Sequence, residues 1–360
     1  MIIGIDGIEA NVEQKVGVSV YTAQLLSYFH AKADKNTQFL VYLRSAPVAN
    51  LPKETEYFKY EVVRQKGLWR DLFFPLHLYL HKKIDVLFCP AHYIPRFCPV
   101  PTVVTIHDLA YEFFPNEFKK EDLYKLKNWT RHSVERARNV IAVSKTTAED
   151  LHKLYGVRKE KIATIYNGYA SIEVPSNEEL DSFGLKPQKY FLYIGTLQPR
   201  KNIPTLIQAF SKFHKKHPDI KLAIIGRKGW MYDSIFEEVK RLNIEDSIIF
   251  TGYVKCLKMF YTNAIAYILP SLYEGFGLPV IEAMHYECPV IVSDTPALME
   301  VSDGACLNFP AHDTMALAQA LEKVIDPSVN KTLIEKGKMR AKDFSWKKTA
   351  QKTLEILTQS

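Results

Sequence analysis

Short apolar runs rich in β-branched residues alternate with longer segments of helical periodicity in the first half of the chain. Between the first two runs, residues 18–33 repeat apolar side chains at the spacing of one helix face. The runs, which we predict to be strands, occupy residues 2–6, 39–43, 85–89, 102–106, 139–144 and 161–166. Strands that alternate with helices in this way predict a parallel sheet with crossover helices.

The same alternation begins again in the second half. Residues 203–217 and 231–242 have the spacing of amphipathic helices. The predicted strands there occupy residues 190–195, 221–226, 247–252, 264–270 and 289–294. Two successive sets of this kind predict an α/β protein of two Rossmann-like domains, each with a doubly wound parallel sheet.

We therefore place an N-terminal domain at residues 1–170 and a C-terminal domain at residues 190–343. Residues 171–189 are polar and weakly patterned, which is typical of a linker. The terminal segment 344–360 carries one apolar face, and we expect a helix that packs back toward the N-terminal domain. Because ligands of open α/β sheets bind beyond the carboxyl ends of strands, the informative residues should follow strands.

Composition narrows the class of protein only slightly. The chain has 360 residues, of which 47% are hydrophobic and 24% charged, enough for two cores. A net charge of +7 suits an anionic substrate, an anionic membrane surface or nucleic acid, and does not choose among them. The first residues lack the basic segment of a signal peptide, and no apolar run approaches the roughly 18 residues that span a bilayer, so we expect a cytoplasmic protein.

The five cysteines do not predict a special function. They are scattered and odd in number, which argues against a disulfide framework. Cys89 and Cys98 flank His92, but no CxxC or HxxxH spacing accompanies them, so we predict no metal site.

The strongest chemical signal is the segment SLYEGFGLPVIEAM, residues 271–284. It follows a predicted strand, and Pro279 is expected to open a helix because proline suits a first helical position. The backbone N–H groups of Gly277 and Leu278 at the start of that helix suit a diphosphate.

Two carboxylates accompany this loop. Glu274 lies in the loop and Glu282 in the expected first helical turn, so they can hold different parts of one ligand. Taken singly, Glu282 could merely complement the helix dipole and Glu274 could be a solvated loop residue. The glycines between them favour a ligand site.

Glu274 and Glu282, separated by seven residues, resemble the signature of the retaining GT-B glycosyltransferases of family 4. The resemblance covers nearly the whole chain. It implies that the two domains face a central cleft, with the acceptor on the N-terminal side and a nucleotide-sugar donor on the C-terminal side. It also implies that Glu274 contacts hydroxyls of the donor sugar and that Glu282 contacts the nucleotide ribose.

Two adjacent cations, Arg200 and Lys201, follow the predicted strand 190–195. Arginine can bind two phosphate oxygens and lysine acts as a compact charge, so the pair suits a pyrophosphate leaving group. Taken alone, they could equally be a solvated basic pair. The family has an Arg/Lys pair at this place, and the resemblance implies that they act in catalysis.

Three further positions of the second half match the family at the donor. The turn that contains Tyr253 and Val254 resembles the place where backbone groups meet the nucleotide base. Gly226 ends the predicted strand 221–226 in the same register. Glycines at such positions can equally be ordinary turn residues.

The first half contributes two candidates. Gly17 opens the helix after the first strand, where the family has a glycine-rich loop beside the donor phosphate, although Val16 replaces the usual preceding glycine. His107 follows the strand 102–106 and could be a structural histidine. The resemblance implies a donor-facing, catalytic one.

Residues 119–138 contain seven lysines or arginines and three acidic residues in a helical pattern. The pattern resembles an interfacial helix, which would place the protein peripherally at the inner, anionic face of a membrane. It also fits a solvated helix whose apolar side lies in the core. The sequence leaves both interpretations open.

We therefore expect transfer of a sugar from a nucleotide donor to a glycan or lipid-linked acceptor in cell-surface polysaccharide or glycolipid synthesis. The GFGLP loop and residues 226–230 are similar to bacterial mannosyltransferases, which suggests GDP-mannose. The partners expected are the donor and acceptor, with no nucleic acid. The competing hypotheses are a glycoside hydrolase with a carboxylate pair and a non-catalytic sugar-nucleotide-binding protein. A dinucleotide dehydrogenase is weaker because no GxGxxG follows a strand.

No two aspartates are separated by a single residue, so the chain lacks an Asp-x-Asp motif for a divalent ion. We therefore expect catalysis without a metal or other cofactor, with Arg200 and Lys201 neutralising the leaving diphosphate. The family resemblance implies retention of the anomeric configuration.

Overall fold

The computed structural model of the chain describes residues 1–64, 68–169, 180–229, 231–254 and 256–359. Residues 171–179 of the expected linker and Trp230 of the 226–230 segment lie outside these ranges. The chain divides into two compact units. The first comprises Met1–Gly168 and Ser345–Ser360, and the second comprises Tyr169–Phe344.

The first unit is built on a seven-stranded parallel sheet with the order β3-β2-β1-β4-β5-β6-β7. The strands are β1 (Ile2–Asp6), β2 (Gln38–Leu43), β3 (Phe58–Val62), β4 (Val86–Cys89), β5 (Thr102–Ile106), β6 (Asn139–Ala142) and β7 (Ile162–Thr164). The helices are α1 (Val18–Lys32), α2 (Phe74–His81), α3 (Ala110–Phe113), α4 (Lys120–Arg136) and α5 (Lys145–Tyr155). The central strands β4 and β5 are buried throughout, as strands covered on both faces require.

The second unit is built on a six-stranded parallel sheet with the order β10-β9-β8-β11-β12-β13. The strands are β8 (Tyr190–Ile194), β9 (Lys221–Ile225), β10 (Ile248–Gly252), β11 (Ala266–Leu269), β12 (Val290–Ser293) and β13 (Leu307–Phe309). The helices are α6 (Ile203–His214), α7 (Asp233–Leu242), α8 (Lys258–Asn263), α9 (Leu278–His285), α10 (Pro296–Ser302), α11 (Thr314–Val324) and α12 (Pro327–Ala341). The two parallel sheets with their helices confirm the α/β class.

Two strands, β3 and β13, were not predicted, and each lies at an edge of its sheet. In β3, Lys59 and Glu61 interrupt the apolar run, and only Phe58 is buried. The strand β13 is just three residues long. An edge strand has a neighbour on one side only, so it can form without the continuous apolar run of a central strand.

The last helix, α13 (Trp346–Thr358), belongs to the first unit. The Thr349 hydroxyl donates a hydrogen bond of 2.7 Å to the Tyr166 carbonyl, and the Trp346 ring meets the Tyr21 ring edge-on at 5.9 Å. A Cβ atom at Gly168 would lie 2.0 Å from the Trp346 nitrogen. Close backbone approach therefore requires glycine at position 168.

Helix α4 uses its apolar side for the core. Leu123 and Leu126 pack against a cluster that includes the fully buried Val134, and Trp129 meets the Tyr93 ring edge-on at 5.4 Å. This agrees with the second interpretation of residues 119–138, a solvated helix with an inward apolar side. Among the described residues, no helix is both long enough and apolar enough to cross a membrane.

Candidate functional site

In the second unit, the strand order reverses between β8 and β11. Strands β9 and β10 continue outward beyond β8, whereas β12 and β13 continue in the opposite direction beyond β11. Open α/β sheets bind ligands at such a switch point, beyond the carboxyl ends of the two strands. The loops that leave this point carry Arg200 and Lys201 on one side and Glu274 on the other.

The two loops are fastened to each other. The Leu272 N–H donates to the Arg200 carbonyl at 2.8 Å, and the Arg200 guanidinium donates to the Tyr273 carbonyl at 3.4 Å. The Asn202 side-chain amide donates to the Pro270 carbonyl at 3.1 Å. Backbone and side-chain hydrogen bonds therefore hold these polar groups in place.

Arg200, Lys201 and Glu274 form a single charge cluster. Lys201 Nζ lies 2.5 Å from Glu274 Oε1, and Arg200 Nη1 lies 3.9 Å from Glu274 Oε2. The Ser271 hydroxyl donates to Glu274 Oε1 at 2.6 Å. The three charged side chains are only 11–17% exposed, so Arg200 and Lys201 are not a solvated basic pair.

The electrostatics of this cluster keep Glu274 ionised. Burial opposes its ionisation, but the charges of Lys201 and Arg200 outweigh burial and lower the pKa of Glu274. The cluster can therefore present one fixed carboxylate and two fixed cations to a ligand. The sequence indicated the carboxylate and the two cations as site residues but did not indicate that they contact one another.

The second glutamate has a different environment. The helix α9 begins at Leu278, one residue before the predicted start at Pro279, and Glu282 lies in its second turn and not in its first. Proline is tolerated at the second position because the first N–H groups of a helix have no intrahelical partner. The Tyr261 hydroxyl donates to Glu282 Oε2 at 3.0 Å. Burial raises the pKa of Glu282, and this hydrogen bond opposes the rise.

Gly277 caps α9 with a positive φ of 99°. A Cβ atom there would lie 2.7 Å from a methyl group of Leu298, so both backbone conformation and packing favour glycine. The N–H groups of Gly277 and Leu278 lie at the amino end of the helix, where an anion is favoured.

The remaining predicted donor residues of the second unit follow β9 and β10. Gly226 follows β9, and a Cβ atom there would lie 1.9 Å from the Gly195 carbonyl oxygen. Packing of the backbone alone thus requires this glycine. Tyr253 is 43% exposed, and the Arg227 guanidinium carbon lies 4.7 Å from its ring centroid. Val254 is buried.

The first unit has its own switch point, between β1 and β4. Asp6 ends β1 and is 3% exposed. Arg70 Nη2 lies 3.1 Å from Asp6 Oδ2 and 3.8 Å from Glu9 Oε1, and its guanidinium lies 5.8 Å from the Tyr93 ring centroid. We did not predict this ion pair, although an aspartate at the end of an otherwise apolar first strand is the signal that could have indicated it.

His107 is held as a neutral ring. Its Nε2 lies 2.7 Å from the Pro90 carbonyl oxygen, which can only accept, so Nε2 carries the proton. Burial, followed by the neighbouring His92, lowers the pKa of His107 to about 4. The only hydrogen-bonding role left to its Nδ1 is that of an acceptor.

His92 adjoins His107 and was considered in the sequence only as a metal ligand. Its Nε2 accepts the His107 backbone N–H at 3.2 Å, so the ring proton lies on Nδ1 when the ring is neutral. Burial lowers the pKa of His92. Within the described residues, this buried Nδ1 has no hydrogen-bond partner, which makes it a candidate contact for a ligand.

Gly17 and His107 lie on either side of Tyr21. The Tyr21 N–H donates to the Gly17 carbonyl at 3.1 Å, and the Tyr21 ring meets the His107 ring edge-on at 4.8 Å. Gly17 has a φ of 51° and open space where a Cβ atom would stand, while Val16 is 62% exposed.

The described residues contain no group of three or more His, Cys, Asp or Glu side chains that could hold a metal ion.

Two family models match the chain, one for each half. The model for Glycosyltransferase Family 4 matches residues 16–170, and the model for Glycosyl transferases group 1 matches residues 176–340. The chain is similar to O-antigen chain mannosyltransferase B of Escherichia coli, with 30% identity over 277 residues, 74% of this chain and 72% of that protein. It is also 31% identical over 242 residues to O-antigen chain mannosyltransferase RfbU of Salmonella typhimurium, covering 66% of this chain and 64% of that protein.

The fold has a solved counterpart. HepE from Anabaena, crystallised in complex with UDP-glucose, matches with a TM-score of 0.75 and 18% identity, over 100% of this chain and 99% of that one. At that identity the likeness concerns the fold alone, and it confirms the GT-B fold that the motifs indicated. The chain therefore belongs to the GT-B glycosyltransferases of the group 1 and family 4 models and is similar to bacterial mannosyltransferases.

Proposed function

We propose that the protein transfers mannose from GDP-mannose, with retention, to a glycan or lipid-linked acceptor in cell-surface polysaccharide or glycolipid synthesis. The observation that carries this proposal is the joined cluster of Arg200, Lys201 and Glu274 at the switch point. The choice of mannose is supported by the two mannosyltransferases to which the chain is similar. The choice of a nucleotide donor is supported by the UDP-glucose bound to HepE.

The cluster supplies the groups that breaking a bond to a diphosphate needs. Arg200 and Lys201 meet the negative charge that develops on the leaving phosphate, and the amino end of α9 adds fixed N–H dipoles. Glu274 accepts hydrogen bonds from sugar hydroxyls and so positions the reacting carbon. The fixed cations neutralise the leaving diphosphate, as a divalent ion does in other glycosyltransferases. We therefore propose a reaction independent of metal.

The anomeric configuration is retained if the diphosphate leaves from the same face of the sugar that the acceptor hydroxyl attacks. The leaving phosphate then assists deprotonation of the acceptor hydroxyl, and no separate protein base is required. In the first unit, neutral His107 offers Nδ1 as an acceptor for a donor hydroxyl. We place the acceptor beside Asp6, Arg70 and the unpaired Nδ1 of His92.

A donor screen tests this function. Release of nucleoside diphosphate is measured with GDP-mannose, UDP-glucose and other sugar nucleotides, with and without excess EDTA, and the anomeric coupling of the product is read by NMR. We expect GDP-mannose to be preferred, activity to survive chelation and the configuration to be retained. Activity that is lost in EDTA and restored by magnesium or manganese would contradict the role given to Arg200 and Lys201, and an inverted product would contradict the mechanism.

Tyr261 should support nucleotide binding through Glu282. We expect Tyr261→Phe to weaken GDP binding about tenfold, because a hydrogen bond to a charged group is lost, with a smaller effect on kcat. The hydroxyl favours ionised Glu282, so its removal raises the pKa of Glu282 further. Affinity for GDP, which falls as Glu282 is protonated, should therefore begin to fall at a higher pH than in the wild type.

Calorimetry with GDP from neutral to mildly acidic pH measures both effects. Tyr190→Phe is the matched control, since its buried hydroxyl donates to the Phe260 carbonyl at 2.6 Å and not to a carboxylate. If the two variants show the same affinity and the same pH profile, Tyr261 has only a structural role.

A further inference from the structure

The loop that follows β4 makes two hydrogen bonds to His107. Its Pro90 carbonyl accepts from the His107 ring at 2.7 Å, and the Nε2 atom of His92 accepts from the His107 backbone N–H at 3.2 Å. The centroids of the two imidazole rings lie 5.7 Å apart. One loop therefore holds both the ring and the backbone of the histidine that we assign to the donor sugar.

His92 makes its bond to His107 from an unfavourable backbone conformation. Its φ is 56°, in the left-handed region where residues other than glycine are uncommon. The Tyr93 N–H donates to the Ala91 carbonyl at 2.6 Å, which closes a three-residue turn centred on His92. The His92 N–H donates to the Thr105 carbonyl of β5 at 2.9 Å. Strain of this kind persists only where the surroundings impose it, and it is concentrated at functional sites.

We infer that His92 is a positioning residue for the transfer reaction. Through Nε2 it fixes the backbone of His107, and with it the ring whose Nδ1 accepts a hydroxyl of the donor. The inference rests on the proposed function, which gives that role to His107 and places the acceptor beside Nδ1 of His92. It assigns a separate task to Nε2 of His92, which acts on the donor only through His107.

This task requires a neutral His92 ring, because Nε2 can accept the His107 N–H only when it carries no proton. Burial has the largest influence and lowers the pKa of His92. Two charged groups also face the ring: Asp108 raises its pKa and Arg70 lowers it. The balance favours the neutral ring, which leaves Nε2 free to accept.

Two amide substitutions separate the two nitrogens of His92. Asparagine places its polar atoms near the position of Nδ1 and is tolerated at positive φ, but its short side chain does not reach the His107 N–H. Glutamine places its oxygen near the position of Nε2 and can accept that N–H, although it loses the donor at Nδ1. We therefore expect the substitution that suits the backbone better to be the more damaging one.

Steady-state kinetics of the full chain test the inference, with the sugar nucleotide that the donor screen selects. Hydrogen exchange at the His107 amide is measured by NMR in parallel. His92→Asn should lower kcat about 10- to 100-fold, because the contact to the donor is misplaced, and should speed exchange at that amide. His92→Gln should restore most of kcat and most of the protection from exchange, but should raise the KM for the acceptor.

A double-mutant cycle tests whether His92 acts through His107. In a His107→Ala background, His92→Asn should lower kcat by no more than about twofold, because the ring that it positions is already absent. His30→Asn is the matched control. His30 lies in the same unit and meets the Phe58 ring of the edge strand β3 edge-on at 5.2 Å, so its replacement should leave both kcat and exchange at the His107 amide unchanged.

A thermal melt checks the folding of every variant. If His92→Asn does not fold, His92→Gly takes its place, because glycine relieves the strain at positive φ, and it should show the same loss of kcat and of protection.

Three results would overturn the inference. One is a His92→Asn variant with the kcat and amide protection of the wild type. Another is a His92→Gln variant whose kcat is as low as that of His92→Asn. The third is a full additional loss of kcat in the His107→Ala background.

Failure of the proposed function gives a different result. In that case no sugar nucleotide supports transfer by the wild type, or His107→Ala keeps the wild-type kcat. Exchange at the His107 amide requires no turnover, so it still decides whether His92 fixes the backbone of His107.

Discussion

Replacing Glu274 by glutamine is expected to lower kcat by about 10²–10³-fold, because a sugar hydroxyl loses the carboxylate that positions the reacting carbon. Binding of GDP alone should not weaken. In the unliganded protein, Glu274 partly neutralises Lys201 and Arg200, so its loss leaves both cations more available to a diphosphate. We expect GDP affinity to stay the same or to rise.

Steady-state kinetics and calorimetry with GDP measure the two effects separately. Glutamine can still accept the hydrogen bond of Ser271, so the loop should keep its conformation. Glu287→Gln is the control, since Glu287 pairs with Lys338 at an exposed site of the same unit. A decrease in kcat of less than tenfold, or a large loss of GDP affinity, would count against the assignment of Glu274 to the sugar.

Replacing Lys201 by methionine is expected to lower kcat by a similar factor of about 10²–10³, because the leaving phosphate loses a fixed positive charge. Here GDP affinity should fall, which is the opposite sign to Glu274→Gln. Stability should also fall, by about 2 kcal/mol, because a largely buried carboxylate loses its nearest cation.

The double variant Lys201→Met with Glu274→Gln distinguishes the two causes. It removes both charges of the pair, so most of the lost free energy of unfolding should return while kcat stays low. Lys189→Met is the control, because Lys189 forms an exposed ion pair with Asp219 in the same unit. If the double variant has the same kcat as Glu274→Gln alone, Lys201 serves only to hold Glu274.

The central strands and the donor-side motif could be predicted because their signals are local. A strand such as β8 or β11 is buried on both faces, and it must therefore be apolar along its whole length. The edge strand β3 is less buried, and its alternating charged residues interrupt the apolar run by which a strand can be predicted. The predicted start of α9 was one residue late because proline is compatible with both the first and the second helical position, where a backbone N–H has no intrahelical partner.

Contacts between distant segments could not be predicted in this way. Lys201 and Glu274 are 73 positions apart, and Arg70 and Asp6 are 64 apart. Each pair meets because a crossover brings two strands, or a strand and a later helical segment, to the same end of a sheet. Residues 68–83 are apolar on nearly every side, so their pattern does not indicate which side of the segment remains exposed.

The sequence by itself determined the two α/β sets, the loops that follow their strands and the family to which those loops belong. These features depend on residue type and spacing over a few turns of chain, where periodicity and backbone preference act directly. The tertiary structure alone decided that Glu274 pairs with Lys201 and that Tyr261 supports Glu282. The physical reason is that strand order and helix orientation follow from burying apolar area across the whole sheet, and no local pattern specifies which distant segments share that burial.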